Sequence, residues 1–136
     1  MSKLLVDTGP LIAWFDRSDN FHDRCRSFFS SVDRPLLTTW PVLTEVCHLI
    51  PSYGVNRFMR WVALGGLEVQ ELGTTAITGI ANLMERYSDI PMDLADASLV
   101  WVAGQWGLSE IVTLDRRDFG IYRLPGGEAL INQLFT

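Results

Sequence analysis

Four carboxylates stand at positions from which they could share one cation. Asp7 ends the short run Lys3-Leu4-Leu5-Val6, and Asp115 ends Glu110-Ile111-Val112-Thr113-Leu114. On a helix, Glu45 shares its face with Pro41, Val42, His48 and Leu49, and Asp96 shares one with Met92, Asp93, Leu99 and Val100. A charge in such an apolar stripe is costly unless it is paired or holds a cation. No Lys or Arg lies between Tyr87 and Arg116, so Asp96 has no basic neighbour in sequence. A divalent cation would satisfy Asp7, Glu45, Asp96 and Asp115 together, and an all-oxygen donor set suits Mg²⁺ or Mn²⁺. Most of these positions, and Asp118 beside them, also have a simpler use. Asp7 can cap the helix that follows it, Asp93-x-x-Asp96 mimics a capping box, Glu45 can pair with a distant Arg, and Asp118 suits a turn or an Arg partner.

The elements that must bring these acids together can be read from the pattern. Lys3 to Val6, Pro35 to Thr39, Leu67 to Leu72 and Glu110 to Leu114 read as short strands, and Ile121 to Leu124 as a possible fifth. Helices fit the stretch after Thr8-Gly9-Pro10, then Asn20 to Ser31, Trp40 to about Ile50, Val55 to Leu64, Thr75 to Tyr87 and Asp93 to Trp106. Strands separated by helices require crossover connections, hence a parallel sheet covered on both faces. In that architecture the ligand site lies outside the carboxyl ends of the strands, where Asp7 and Asp115 stand.

Composition bounds the rest. The 136 residues, 48% hydrophobic and 20% charged, are expected to form one domain over 1–136 with no internal boundary. No apolar stretch is long enough to span a bilayer and Met1-Ser2-Lys3 is too short for a signal-peptide head, so a cytoplasmic protein is expected. Cys25 and Cys47 lie outside any CxxC pattern and read as buried, reduced thiols. His22 and His48 read as helix-face or core residues, and two His with two Cys make no zinc site of the usual kind. The net charge of −5 argues against a broad duplex-binding surface, although ten of the eleven basic residues are Arg, the side chain suited to gripping phosphate.

Taken in order, Leu4-Leu5-Val6-Asp7-Thr8, Thr44-Glu45-Val46, Leu94-Ala95-Asp96-Ala97 and Thr113-Leu114-Asp115-Arg116-Arg117-Asp118-Phe119 resemble the PIN domain, and within it the VapC-type toxin ribonucleases. The resemblance spans essentially the whole chain. It implies a three-layer α/β/α sandwich with a central parallel sheet of four to five short strands. It also implies an acidic set of Asp7, Glu45, Asp96 and one or both of Asp115 and Asp118, holding Mg²⁺ or Mn²⁺. The implied activity is metal-dependent endoribonuclease cleavage of single-stranded or loop RNA by the toxin of a toxin-antitoxin pair, homodimeric and inhibited by a cognate antitoxin. Thr8, Arg17, Arg116 and Arg117 flank the acids in sequence and are the candidates for contacting RNA. Phe58, Trp61 and Phe135 are the aromatic candidates for an exposed partner surface.

Asp7-Thr8-Gly9 also matches the catalytic triplet of aspartic proteases, but that fold is all-β and here the triplet opens a helix. A haloacid-dehalogenase-type phosphotransferase needs a second acid where Gly9 stands. A non-catalytic RNA- or partner-binding domain is the remaining alternative.

Overall fold

The computed structural model describes residues 2–136. The chain runs β1 (Leu4–Val6), α1 (Thr8–Phe15), α2 (His22–Ser31), β2 (Leu36–Thr39), α3 (Trp40–Leu49), α4 (Ser52–Ala63), β3 (Glu68–Gln70), α5 (Ala76–Arg86), α6 (Leu94–Trp106), β4 (Glu110–Val112), α7 (Arg116–Phe119) and β5 (Ile131–Asn132), followed by a 3₁₀ turn, Gln133–Phe135. The five strands form one parallel sheet in the order β3-β2-β1-β4-β5. Every residue of β1 is buried, because helices cover both faces of the sheet. This is the expected three-layer α/β/α architecture.

Three features explain how the layers meet at the carboxyl edge. The Val6 carbonyl accepts the Thr38 hydroxyl at 2.8 Å, and the Asp7 amide donates to Val112 O at 3.0 Å, so the ends of β1, β2 and β4 are held level. The Thr39 and Ser98 hydroxyls lie 2.6 Å apart, tying the end of β2 to α6. Helix α6 is apolar on nearly every side and correspondingly buried, and it stops where Gly107 takes a left-handed conformation at φ 64°. Its N-terminus is capped by Asp93, whose Oδ1 accepts the Asp96 amide at 2.8 Å, as the Asp93-x-x-Asp96 spacing suggests.

Several local expectations are corrected. The fifth strand is not Ile121–Leu124, because the Asp118 carbonyl accepts the amides of both Ile121 and Tyr122 and folds that segment into a turn after α7. The strand pairing with β4 is Ile131–Asn132 instead. The third strand is only Glu68–Gln70. Phe58 is fully buried, edge-on to Phe15, and not part of an exposed surface. Trp61 is half-buried in the same aromatic cluster, which also holds Trp14 and Phe29. Cys25 is buried and its thiol pKa is pushed up to about 11 by desolvation, whereas Cys47 is only half-buried.

Candidate metal centre at the carboxyl edge of the sheet

Asp7 leaves β1 with its side chain buried, and its Oδ2 accepts the Thr113 hydroxyl at 2.8 Å. The same Thr113 oxygen accepts the Asp115 amide at 2.9 Å, so one buried hydroxyl links the two strand-end acids. Thr113 is in turn clasped by Asn132, whose Nδ2 donates to Thr113 O at 2.9 Å and whose Oδ1 accepts the Thr113 amide at 3.3 Å. Asp115 also caps α7, taking the Asp118 amide on Oδ1 at 3.0 Å, which folds Asp118 back beside it. From the opposite side α6 presents Asp96, whose Oδ2 accepts the hydroxyl of buried Tyr122 at 2.8 Å.

The result is a set of three carboxylates, Asp96, Asp115 and Asp118, with one oxygen from each within 4.8 Å of the others. Asp7 and Glu45 fall outside that mutual span but are electrostatically part of the same site. Burial raises the Asp7 pKa to about 6, with Glu45 and Asp115 adding like-charge repulsion and Thr113 opposing them. Burial, then repulsion from Asp7, raises Asp96 to about 8 against the opposing Tyr122 hydrogen bond. Asp118 is raised as well, by desolvation and then by Asp115. Among the described residues the ion pairs within 4.0 Å are Lys3 with Glu68 and Arg34 with Glu110, so no Lys or Arg neutralises these acids at contact distance.

Such a cluster is strained by its own charge, and a hard divalent cation is the ligand its oxygen donors fit. A second feature supports that fit. The Thr8 hydroxyl, beside Asp7, is buried with no hydrogen-bond partner among the described residues, an orphan of the kind that a bound group satisfies.

The other candidate residues separate. Arg116 and Arg117 lie exposed on α7 between Asp115 and Asp118, and the Arg117 charge reaches Asp118. Arg17 lies elsewhere, lining a groove of about 1020 Å³ with Trp14, His22, Arg26, Tyr53 and Arg57 between α1, α2 and α4. His22 turns Nδ1 to Ala13 O at 2.8 Å, and His48 is exposed. Two contributors escape a reading of the sequence: Thr113, whose only signal is a hydroxyl in an otherwise apolar strand end, and Tyr122, hidden in what reads as a strand.

Known proteins resemble this chain in sequence and in fold. Residues 4–125 match the PIN domain. The chain is 30% identical over 128 residues to ribonuclease VapC26 of Mycobacterium tuberculosis, covering 91% of this chain and 95% of that protein. A crystal structure of VapC20 from Mycobacterium tuberculosis, described as a sarcin-ricin loop cleaving toxin, superposes with a TM-score of 0.73 at 18% identity, over 85% of this chain and 92% of that one. With the match running through the strand ends and the helix that carry the acids, the chain belongs to the PIN-domain family, on its VapC side.

Proposed function

We propose that this protein is a divalent-metal-dependent endoribonuclease, the toxin of a toxin-antitoxin pair, acting on single-stranded or loop RNA in the cytoplasm. The observation that carries the reading is the convergence of Asp96, Asp115 and Asp118 beside buried Asp7, with no contacting basic residue among the described residues. Asp7, Glu45, Asp96, Asp115 and Asp118 are the residues that would hold Mg²⁺ or Mn²⁺. When bound, the cation supplies Lewis-acid polarisation of a phosphodiester and a more acidic water. The chain's own part is to orient the donors: Thr113 holds Asp7 and the Asp115 backbone, Asp115 holds Asp118, and Tyr122 holds Asp96. Phosphates of unpaired RNA then meet Arg116 and Arg117 at the rim, with Thr8 buried beside Asp7 and Arg17 further out.

A protein inhibitor and a homodimer belong to the same reading. Support for a partner lies in the groove between α1, α2 and α4, where aromatic walls sit beside Arg17, Arg26 and Arg57, and in an acid cluster able to receive an arginine. Light scattering on the purified chain and co-purification with the expressed antitoxin check the two assemblies.

The deciding experiment is cleavage of total RNA with Mg²⁺ or Mn²⁺, with a chelator control and with Asp96→Asn. Metal-dependent fragments from the wild type and none from the folded variant are expected. Equal cleavage by both, or RNA binding with no cleavage under any metal, would sink the reading in favour of a binding domain. A protease is disfavoured by the all-parallel, helix-covered sheet.

A further inference from the structure

Phe135 carries two guanidinium groups on one ring. Arg24 Cζ lies 4.7 Å from the ring centroid and Arg116 Cζ 4.1 Å, each within cation–π range. The two arginines come from distant elements, α2 and α7, and both are exposed while the ring they share is half-buried. Neither stands within 4.0 Å of a carboxylate among the described residues. Two like charges sharing a ring without a counter-ion repel one another, and an anion placed between them relieves that repulsion.

The ring is also fixed relative to the acid cluster. Asn132 Oδ1 accepts the Leu134 amide at 3.1 Å, while the same side chain clasps Thr113, the residue that holds Asp7 and Asp115. Arg24 adds a second tie, donating from Nη1 to Leu134 O at 3.2 Å. Arg116 directly follows Asp115 in the chain. Arg24 commits Nη1 to Leu134 O and keeps its other N–H groups for a further acceptor, in the fork geometry that matches phosphate. The two guanidinium carbons are no farther apart than the sum of their distances to the centroid, a span one phosphodiester or two successive ones can bridge.

We propose that Arg24 and Arg116, held by Phe135, form a clamp for the RNA backbone next to the scissile phosphate, with Phe135 as a positioning residue. The clamp rests on the ribonuclease reading for its substrate and is tested separately from cleavage. Binding of a short, fluorescein-labelled single-stranded RNA of mixed sequence is titrated in chelator across a salt series, for wild type, Arg24→Gln, Arg116→Gln, Phe135→Leu and the Phe135→Leu/Arg24→Gln pair. Each arginine substitution is expected to weaken binding about three- to tenfold and to lower the slope of log K against log salt by about 0.7, the loss of one phosphate contact. Phe135→Leu should weaken binding about two- to fivefold, and Arg24→Gln should cost less in that background than alone. Phe135→Trp, which keeps a ring, should restore wild-type binding. If Phe135→Leu unfolds the chain by circular dichroism, the two arginine slopes and Phe135→Trp still decide. Under cleavage conditions the arginine substitutions should act on KM, with kcat moving less than twofold. Wild-type salt slopes in both arginine variants overturn the clamp and leave the ribonuclease standing. Normal clamp behaviour with no metal-dependent cleavage does the reverse, and a wild type that fails to bind RNA in chelator yet cleaves it with metal overturns the clamp alone.

Discussion

Tyr122 donates its hydroxyl to Asp96 Oδ2 at 2.8 Å, joining the turn after α7 to the first turns of α6 across the acid cluster. This bond favours the ionised carboxylate and works against burial and Asp7, which raise the Asp96 pKa to about 8. Tyr122→Phe keeps the buried ring and removes the donor. Asp96 should then become a weaker acid and a poorer ligand, with apparent Mg²⁺ or Mn²⁺ affinity at neutral pH falling about 10- to 100-fold. The acid limb of the cleavage pH profile should move to higher pH. An unchanged profile and metal affinity would remove Tyr122 from the site.

The charge in the cluster sets a pH dependence for the metal-free fold. Asp7 at about 6 and Asp96 at about 8 both lie above the unfolded aspartate value of about 3.9. A raised acid binds its proton more tightly when folded, so its stabilising contribution is complete below pH 4 and is lost as pH rises through 6 to 8. In chelator, the melting temperature should therefore fall across that window. Added Mg²⁺ or Mn²⁺ should raise it more at pH 8 than at pH 5, and should release protons on binding near pH 6.5. A metal-induced shift that grows toward low pH would contradict this linkage.

Asp96→Asn should uncouple stability from activity. Removing one half-buried charge relieves repulsion on Asp7, so the metal-free variant should melt at or above the wild-type temperature at pH 8.5. It should also lose cleavage and most of the stabilisation by metal. Differential scanning calorimetry with and without metal measures both. A variant that melts lower in chelator at that pH would show that Asp96 is not held against its own charge.

Thr113→Val tests the hydroxyl that links two acids. The substitution leaves a buried Asp7 oxygen without its donor and the Asp115 amide without its acceptor. A loss of about 1–3 kcal/mol in urea unfolding is expected, accompanied by loss of cleavage. Thr113→Ser should recover most of both, since it keeps the hydroxyl.

Thr8→Val should have the opposite effect on stability. The Thr8 hydroxyl is buried without a partner, so its removal at nearly constant shape should leave the metal-free fold unchanged or up to about 1 kcal/mol more stable. Cleavage, or metal or RNA affinity, should fall, because an orphaned polar group beside Asp7 is useful only when a ligand meets it. A destabilised Thr8→Val would reveal a structural role instead.

Much of this candidate site is legible in the amino-acid sequence. Asp7 and Asp115 were conspicuous because each follows an apolar strand, and Asp96 because an apolar helix with no basic neighbour leaves a carboxylate without a local partner. Asp93 read correctly as a cap because capping is an interaction across three residues. Arg17 did not join the acids, since closeness in sequence to Asp7 ends with α1, which carries Arg17 to the groove beside α2 and α4. The turn at Ile121 to Leu124 was missed because an Asp118 carbonyl accepting two amides leaves no periodic trace in side-chain pattern.

The amino-acid pattern by itself determined that strands alternate with helices, that the sheet is parallel and covered on both faces, and that charged groups gather at its carboxyl edge. These follow from periodicity and local chain chemistry, which act over a few residues. Only the tertiary structure decided that Asp118 turns in beside Asp115, that Thr113 and Tyr122 hold the acids, and that Phe135 carries Arg24 and Arg116. Thr113 meets Asp7, Tyr122 meets Asp96, and Phe135 meets Arg24 and Arg116 across long stretches of chain, and Asp115, which caps Asp118, is itself held by Thr113. Such contacts exist only after the core has closed and fixed which strand ends meet.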